Sequence, residues 1–485
     1  MLAFFPGLLA VLGPVLFGAW DLWAQSLLLL AALAAACVWL CGRLLSGSVP
    51  LPPGRFLAWL AGLAAWTGLS AYGGPLPAYA VPAWHVWLAA LGILLAFSVM
   101  PAGQRRRLDY AVRALAWLLA LLAVYQHFRL GWERPPASLL NENIFAGAIL
   151  LFLPLAFSEQ DWLLCGLLLL CLCWARSVGA WLGLTASLLL LLRRGPLRTA
   201  AVAVLAAVGL AFLYAKLGRT TGLDRWHWWL AAARMSLARP WLGFGPGTFA
   251  YALPAYADSG RPLGSLYAHQ YFLETAAQLG WPCLAAWLAG LVLILRRGPA
   301  AKRIGALAVL AQSLGDYALS IPAVLWLFCC FAGSCLPESG RSVDVPPRWR
   351  LGACLLVLAA GGWAAGSLWQ RWQADRWLAR AQVLVRSAGP VPEVMTLLER
   401  SSRLCDHPET ARLEGLVEAG LSRRPGASYR LRAAVAAMER AARQNPYRAS
   451  TWSMLAAMYQ ELGRADLARG ALERGAATCP ALRQP

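Results

Sequence analysis

The segment "RPWLGFGPGTFAYALPAYADSGRPLGSLYAHQYFLETAAQLG", residues 239–280, interrupts a chain that is otherwise strongly apolar. It combines glycines, prolines, aromatic side chains, a few charges and one histidine, His269. Glycine and proline disfavour regular helix and build turns. The segment therefore predicts a shaped loop that separates two groups of apolar helices.

The composition places the chain among membrane proteins. Of its 485 residues, 59% are hydrophobic and 14% are charged, and its mean hydropathy is +0.55, well above that of ordinary soluble domains. The 43 Lys and Arg against 23 Asp and Glu give a net charge of +20. In a soluble domain this charge would suggest nucleic acid, but between apolar spans it is typical of loops that orient helices. We therefore expect a lipid bilayer as partner and no nucleic acid.

Apolar windows long enough to cross a bilayer, which takes about 20 residues each, predict an all-α polytopic membrane helix bundle of about 12–13 spans. Two pairs of windows have very short connections. The first window lacks a basic n-region and leads straight into the second, so we expect a retained helix and not a cleaved signal. The windows are 2–20, 22–42, 56–72, 80–99, 108–126, 142–158, 161–175, 178–192, 199–216, 273–295, 304–319, 321–336 and 351–369.

The distribution of basic residues predicts the orientation. With the N-terminus in the cytoplasm, fifteen Lys and Arg fall in inner loops and three, Arg129, Arg134 and Arg176, fall in short outer loops. This asymmetry follows the positive-inside rule. We expect four regions: helices at 1–216, an outer loop at 217–272, helices at 273–369 and an outer tail at 370–485.

The tail has the pattern of a helical repeat. Residues 446–480 span a proline-to-proline spacing of 34, and Trp452, Leu455, Tyr459 and Gly463 fit the tetratricopeptide pattern. Two less regular units precede it. Such repeats stack into a concave surface, so the tail would bind an envelope protein partner or acceptor, or else cap and stabilise the bundle.

The twelve cysteines show no metal-ligand spacing, and most lie in apolar windows as small filler residues. Cys405 and Cys479 lie in the tail, where the intervening repeat would keep them apart. We predict no disulfide between them.

Several separate stretches send polar residues to the predicted outer face. Ionisable groups at a membrane interface mark functional sites or anchor helix ends; we assign Arg129 and Arg134 to anchoring. The loop's "GFGPG" turn, with Gly243, Gly245 and Gly247, could bring backbone N–H groups close to an anion. The other outer polar residues are Asn141, Glu142, Asn143, Arg176, Ser177, Arg225, His227, Arg234, His269 and Asp316.

Two of these motifs, "RPWLGFGPGTF" and "AHQYFLETAAQLG", together resemble the signature of the O-antigen ligase and polymerase superfamily, which includes pilin O-oligosaccharyltransferases. Arg225 with Trp228 or Trp229, residues 240–249, His269 and Gly280 match the pattern, while Gln270 replaces the usual Asn and Gln278 the usual Glu. "NEN" with a later Pro154 and "LGDYALSIP" are similar to further family elements. In "ARSVGAW" the family's arginine is displaced to Arg176. The resemblance covers about residues 140–330.

The resemblance implies a membrane glycosyltransferase that uses an undecaprenyl-diphosphate-linked glycan as donor. His269 would be the base that deprotonates an acceptor hydroxyl, which suits histidine near neutral pH. Arg225 would clamp the diphosphate, since arginine is always charged and bidentate toward phosphate. Arg234 or Arg176 would assist, Gly243, Gly245 and Gly247 would shape the pocket, and Asn141, Asn143 and Asp316 would contact substrate. Asp316 could also orient His269.

No Asp-x-Asp or histidine cluster for a metal occurs, so we expect metal-independent transfer without a cofactor. The site would lie on the periplasmic side of a bacterial inner membrane, with the tail. The acceptor could be a lipid core, a growing glycan or a protein, which correspond to ligase, polymerase and protein O-oligosaccharyltransferase. A lipid-linked glycan transporter and a non-catalytic envelope scaffold are the alternatives outside enzymes.

Overall fold

The structure is a computed structural model that describes residues 4–191, 195, 199, 200, 203, 207, 209–211, 221–257 and 264–478. Its elements are almost entirely helical, as the sequence predicts. Two short antiparallel strands, β1 (Ser48–Pro50) and β2 (Ser342–Asp344), pair at the end of the bundle opposite the loop. The fold class of an all-α bundle is confirmed.

The first half of the chain begins with an irregular segment and continues in longer helices. A π-helical turn (Leu8–Leu12) and a 3₁₀ turn (Phe17–Ala19) interrupt the first predicted span, and Gly18 has a φ of 72°. The helices are α1 (Phe4–Gly7), α2 (Gly13–Val15), α3 (Leu22–Ser46), α4 (Gly54–Gly73), α5 (Pro77–Val99), α6 (Ala102–Leu130), α7 (Glu142–Ser158), α8 (Trp162–Ala175) and α9 (Val178–Leu191).

The second half contains the loop helices, the remaining apolar helices and the tail. Two further 3₁₀ turns are Leu253–Ala255 and Ala318–Ser320. The helices are α10 (Thr221–Ala238), α11 (Phe249–Ala252), α12 (Tyr271–Leu279), α13 (Trp281–Leu295), α14 (Ala300–Gln312), α15 (Pro322–Gly333), α16 (Pro347–Arg386), α17 (Val391–Leu404), α18 (Pro408–Ser422), α19 (Arg430–Gln444), α20 (Ala449–Glu461) and α21 (Ala465–Thr478).

Four described helices, α3, α5, α6 and α16, are long and apolar enough to cross a membrane. The shorter apolar helices include α7, α8, α13 and α15. The two closely spaced window pairs are separate helices: Asp161 caps α8, and Pro322 begins α15. The predicted span at 199–216 lies largely outside the described residues.

The predicted span at 273–295 is divided in two. Gly280 has a φ of 81°, and a Cβ there would lie 1.7 Å from the carbonyl oxygen of Trp241. A residue with a side chain is excluded both by this backbone conformation and by the close approach. The chain therefore ends α12 at Leu279 and starts α13 in a new direction, which leaves α12 as part of the loop region.

The helix α16 continues without a break through the boundary predicted at residue 370. Its 40 residues correspond to about 60 Å, whereas a bilayer core is about 30 Å thick. Near its middle Gly361 lies against Cys37 of α3. Its last turns pack against α17, so a single rigid helix connects the bundle to the tail.

Close helix packing positions the residues that follow α14. A Cβ on Gly183 of α9 would lie 2.4 Å from the carbonyl oxygen of Ala308. Small residues permit this close backbone approach, which is common between membrane helices. At the end of α14 the buried Gln312 donates to the carbonyl oxygen of Asn143 at 3.0 Å. The turn at residues 313–317 therefore starts from a fixed position.

Candidate functional site

The glycine-rich turn of the loop is docked along the end of α12. The Phe244 N–H donates to the Ala277 carbonyl at 3.0 Å and the Gly245 N–H to the Gln278 carbonyl at 2.8 Å. The Gly247 N–H donates to Oε1 of Gln278 at 2.8 Å. A Cβ on Gly243 would lie 2.4 Å from the Gln278 backbone, so glycine is required for this contact.

These contacts correct the anion-binding expectation for Gly243, Gly245 and Gly247. Their N–H groups already have partners inside the protein, since the Gly243 N–H also donates to the Arg239 carbonyl at 3.1 Å. Satisfied donors offer little to a phosphate. The turn instead fixes α12 relative to α10.

The backbone around His269 is held by three parts of the chain. The Ala268 N–H donates to Oε2 of Glu274 at 2.7 Å, and the Trp229 indole donates to the His269 carbonyl at 3.2 Å. The Tyr271 N–H donates to the Ser313 carbonyl at 3.1 Å. His269 itself has a φ of 54°, a conformation that costs a non-glycine residue about 1 kcal/mol or more. These contacts maintain it and direct the imidazole into the site.

The imidazole of His269 lies between aromatic rings. Trp228 stacks on it with ring centroids 4.9 Å apart, and Tyr317 meets it edge-on at 4.5 Å. The side chain is 18% exposed, so the ring is largely shielded but remains accessible from one side. This arrangement fixes its plane.

Asp316 lies beside Nδ1 of His269, with its Oδ1 atom 4.0 Å away. The carboxylate is buried and accepts the Tyr317 N–H at 2.9 Å. Nδ1 forms no hydrogen bond within the described part of the chain. A 4.0 Å separation is longer than a hydrogen bond, but such contacts often shorten when substrate binds.

Arg225 reaches the same place from α10. Its guanidinium donates to the Gly315 carbonyl at 2.9 Å, one residue before Asp316. Burial lowers the pKa of His269 to about 4, and the positive charge of Arg225 contributes to the lowering. The three predicted residues Arg225, His269 and Asp316 thus come together from α10, the segment before α12 and the turn after α14.

Arg234 does not join this cluster. It lies nine residues after Arg225 on α10, which at 100° per residue puts it on the opposite side of the helix and about 13 Å further along. Its side chain is exposed and donates to the Tyr256 carbonyl at 3.1 Å. An assisting role at the phosphate beside Arg225 does not fit this geometry.

Arg176, Asn141 and Asn143 lie at the neighbouring helix ends. Arg176 ends α8 with a φ of 51° and lies 3.7 Å from Glu133. Asn141 caps α7 by accepting the Asn143 N–H at 2.8 Å. The buried Asn143 packs α7 against α14. These contacts stabilise the helix ends, and none of them reaches His269.

Arg134, which the sequence predicts to anchor a helix end at the membrane surface, connects the start of α7 to the end of α8. It forms a 2.7 Å ion pair with Glu142 and donates to the Ala175 carbonyl at 3.1 Å. Burial raises the pKa of the Tyr317 hydroxyl. This hydroxyl also interacts electrostatically with four charged residues, which are Asp316, Glu142, Arg225 and Glu274. Tyr317 therefore lies between the Glu142 and His269 regions.

Sequence reasoning missed Tyr317 and Glu274. Tyr317 adjoins Asp316 in sequence, but only the fold shows that its ring meets the imidazole. Glu274 is buried at 3% exposure, and a single carboxylate within an apolar stretch gives no sequence signal of its partners. By contrast, the spacing of Trp228 and Trp229 from Arg225, three and four residues, already places them on one helix face.

The tail is docked onto the loop and α5. The Tyr79 hydroxyl donates to Oε1 of Glu409 at 3.1 Å, and the Tyr79 ring stacks on Tyr251 with centroids 3.6 Å apart. Tyr447 of the tail meets Phe244 of the glycine-rich turn at 5.7 Å. The tail is therefore part of the same surface as the loop.

The cysteines and other metal-binding residue types form no further site in the described part of the chain. Among the described residues no group of three or more His, Cys, Asp or Glu could hold a metal ion. Cys405 is a free thiol in the tail, and Cys479 lies outside the described residues.

Comparison with protein families gives one match. Residues 163–288 match the O-antigen ligase family, a segment that runs from α8 into α13 and contains Arg176, Arg225, Arg234 and His269. The resemblance predicted from the loop motifs is confirmed. The match does not extend to Asp316 or to the tail. No curated protein matches the chain.

Proposed function

We propose that this protein transfers a glycan from an undecaprenyl-type lipid diphosphate to an acceptor hydroxyl, because residues 163–288 match the O-antigen ligase family. The family consists of membrane glycosyltransferases of the O-antigen ligase and polymerase type, and the chain has helices able to cross a membrane. The donor, the direction of transfer and the residue roles are our proposal.

The observation that carries the proposal is the convergence of His269, Arg225 and Asp316. They belong to three segments far apart in sequence, yet Arg225 bonds Gly315 and His269 lies 4.0 Å from the adjacent Asp316. A base, a cation and an orienting carboxylate within one partly shielded site are what transfer from a diphosphate requires.

In the proposed reaction His269 accepts the proton of the acceptor hydroxyl on Nε2. The acceptor oxygen forms a bond to the anomeric carbon while the bond from that carbon to the phosphate oxygen breaks. The electron pair stays on the lipid diphosphate, where Arg225 offsets the developing negative charge. Asp316 holds the Nδ1–H side of the ring as in other base–carboxylate pairs, and the proton leaves His269 after transfer.

The location follows from the same proposal. We place the loop and the tail on the periplasmic side of a bacterial inner membrane, where the lipid carries the activated sugar and no nucleotide is needed. The helices of the tail, α17 to α21, would then face the acceptor or an envelope protein.

The test of this proposal is a transfer assay with purified protein in nanodiscs. The donor would be a polyprenyl-diphosphate oligosaccharide, offered with a lipid-core acceptor, a second lipid-linked glycan or a pilin-type protein. We expect glycan to reach at least one acceptor with release of polyprenyl diphosphate, also in the presence of a chelator. No transfer to any acceptor would favour the transporter or the scaffold.

The pH dependence of kcat/KM should report the unusual His269. Burial and Arg225 lower its pKa to about 4, so the imidazole is neutral and able to accept a proton throughout the neutral range. We expect kcat/KM to stay constant from about pH 8 to pH 5 and to fall about tenfold per unit below pH 4.

An ordinary exposed histidine would instead lose half its activity near pH 6.5. A decline centred there, in protein that remains folded, would contradict the shielded environment of His269. Circular dichroism at each pH provides the control for folding.

A further inference from the structure

A cavity of about 460 Å³ lies between the bundle, the loop and the tail. The bundle and the loop line it with the start of α3, the first half of α5, residues around 247–251 and 266–278, and the start of α15. The tail closes it with Asp375, Leu378 and Gln382 of α16 and with His407 and Glu409 at the start of α18. Its volume is within the range of about 300–1,000 Å³ typical of small-molecule sites.

Aromatic rings form much of the cavity wall. The rings come from the chain before α3, from α5 and from the loop: Trp20, Tyr79, Trp87, Tyr251 and Tyr267. Several are fixed by contacts with each other, since Tyr79 stacks on Tyr251 and Trp20 meets Tyr267 edge-on at 5.5 Å. Rigid rings with polar edges suit the apolar C–H faces of pyranose sugars, whose hydroxyls then point toward polar side chains.

The polar groups of the wall include carboxylates and amides. The carboxylates are Glu274, Asp375 and Glu409, and the amides are Gln25, Gln278 and Gln382. No Lys or Arg is among the described residues that line the cavity.

His407, which also lines the cavity, adds no positive charge at neutral pH. Burial lowers the pKa of His407 to about 4, although Glu409 acts in the opposite direction. Of the carboxylates, Glu409 forms ion pairs with Arg412 and Arg448, and burial raises the pKa of Asp375. With no Lys or Arg in the described lining, the wall suits the hydroxyls and amino groups of sugars better than it suits phosphate.

Two polar side chains of the wall lie side by side. The Ser320 hydroxyl interacts with the Glu274 carboxylate, and both residues line the cavity. A sugar hydroxyl at this part of the wall would meet both a hydroxyl and a carboxylate.

The cavity adjoins the proposed reaction site without overlapping it. Tyr267 lines the cavity and stacks on Tyr317 with centroids 4.7 Å apart, and Tyr317 meets His269. Glu274 lines the cavity and holds the Ala268 N–H, next to His269. Arg225 does not line it, so a diphosphate held by Arg225 would lie on the other side of these rings.

We propose that this cavity binds a neutral or amino-bearing oligosaccharide, and that the tail supplies part of its specificity. This inference rests on the proposed function, according to which the bound glycan is either the donor or the acceptor. Both sources present the same chemistry of sugar rings and hydroxyls. The tail is then a wall of the saccharide site and not a separate adaptor.

The test uses the full-length protein in detergent on an array of neutral, amino-bearing and acidic oligosaccharides. We expect retention on neutral or amino-bearing glycans and at least tenfold weaker retention for Gln382→Trp, which fills the cavity from the tail side. The matched control is Val383→Trp, because Val383 is exposed on the same helix and does not line the cavity.

The remaining measurements identify the bound glycan as donor or acceptor, and they separate the cavity assignment from the proposed reaction. Displacement by a polyprenyl-diphosphate oligosaccharide but not by free acceptor saccharide identifies the donor glycan, and the reverse identifies the acceptor. His269→Ala should retain array binding although it loses transfer. Wild-type protein that binds the array but transfers glycan to no acceptor would refute the proposed reaction and leave the cavity assignment intact. Absence of retention on every neutral and amino-bearing glycan, or equal retention by Gln382→Trp and wild type, would overturn the cavity assignment.

Discussion

Replacing His269 by alanine is expected to lower the rate of glycan transfer by about 10²–10⁴-fold, the usual contribution of a general base. The imidazole is neutral, largely shielded and held in a fixed plane between Trp228 and Tyr317, so its removal takes away the positioned base. The rate would be measured with saturating donor and acceptor in nanodiscs. Because His269 contacts the substrate hydroxyl in this proposal, the loss should appear mainly in kcat.

A second loop histidine offers a matched control for this substitution. His227 lies on α10 two residues after Arg225 and has no part in the proposed chemistry. We expect His227→Ala to keep transfer within about threefold of wild type. If the two alanine variants lost activity equally, the specific role of His269 would be refuted.

Replacing Arg225 by alanine should lower transfer by about 10²–10³-fold, as expected when a group that stabilises a developing negative charge is removed. Arg225→Lys should recover part of the rate, because it keeps the charge but not the bidentate geometry. Rates and donor affinity would be measured for both variants alongside wild type.

The same substitution has a second, independent readout. Since the charge of Arg225 helps to lower the pKa of His269, its removal should move the acid limb of the kcat/KM profile of Arg225→Ala to higher pH. A purely structural role for Arg225 would not shift the limb in this direction.

Arg234 on the opposite side of α10 provides the control for Arg225. It is exposed and contacts the Tyr256 carbonyl, so Arg234→Ala should have little effect on transfer. A larger loss from Arg234→Ala than from Arg225→Ala would show that the diphosphate binds on the Arg234 side of α10, and would contradict our account.

Sequence reasoning placed the apolar helices and the chemical residues better than the contacts between them. Apolar windows predict helices because a continuous apolar stretch must bury its backbone polar groups in helical hydrogen bonds. The same reasoning could not predict that Gly280 divides one window, because that break depends on the carbonyl of Trp241, 39 residues earlier.

The role of the glycine-rich turn illustrates the same limit. Glycines allow both anion binding and close backbone contact, and the sequence cannot distinguish the two. In the structure the N–H groups of Gly245 and Gly247 donate hydrogen bonds to Gln278. The residue at position 278 therefore docks the turn through oxygen acceptors, which the family's usual Glu would also provide.

The docking of the tail depends on long-range contacts that carry no local pattern. Repeat spacing predicts the tail's hairpins, but nothing in it predicts that Tyr79 would bond Glu409 or that α16 would continue for 40 residues. Removing residues 370–485 would thus cut α16 and open the cavity. Point substitutions on α16 are a cleaner way to test the tail's influence on acceptor choice.

The central claim, that a neutral His269 removes the acceptor proton while Arg225 faces the diphosphate, is tested most directly by single-turnover transfer from pre-bound donor. Wild type and His269→Ala would be mixed with acceptor, and release of polyprenyl diphosphate would be followed by mass spectrometry. We predict similar donor affinity for the two proteins and a rate at least 10²-fold lower for His269→Ala. Equal single-turnover rates in the two folded proteins would contradict the account.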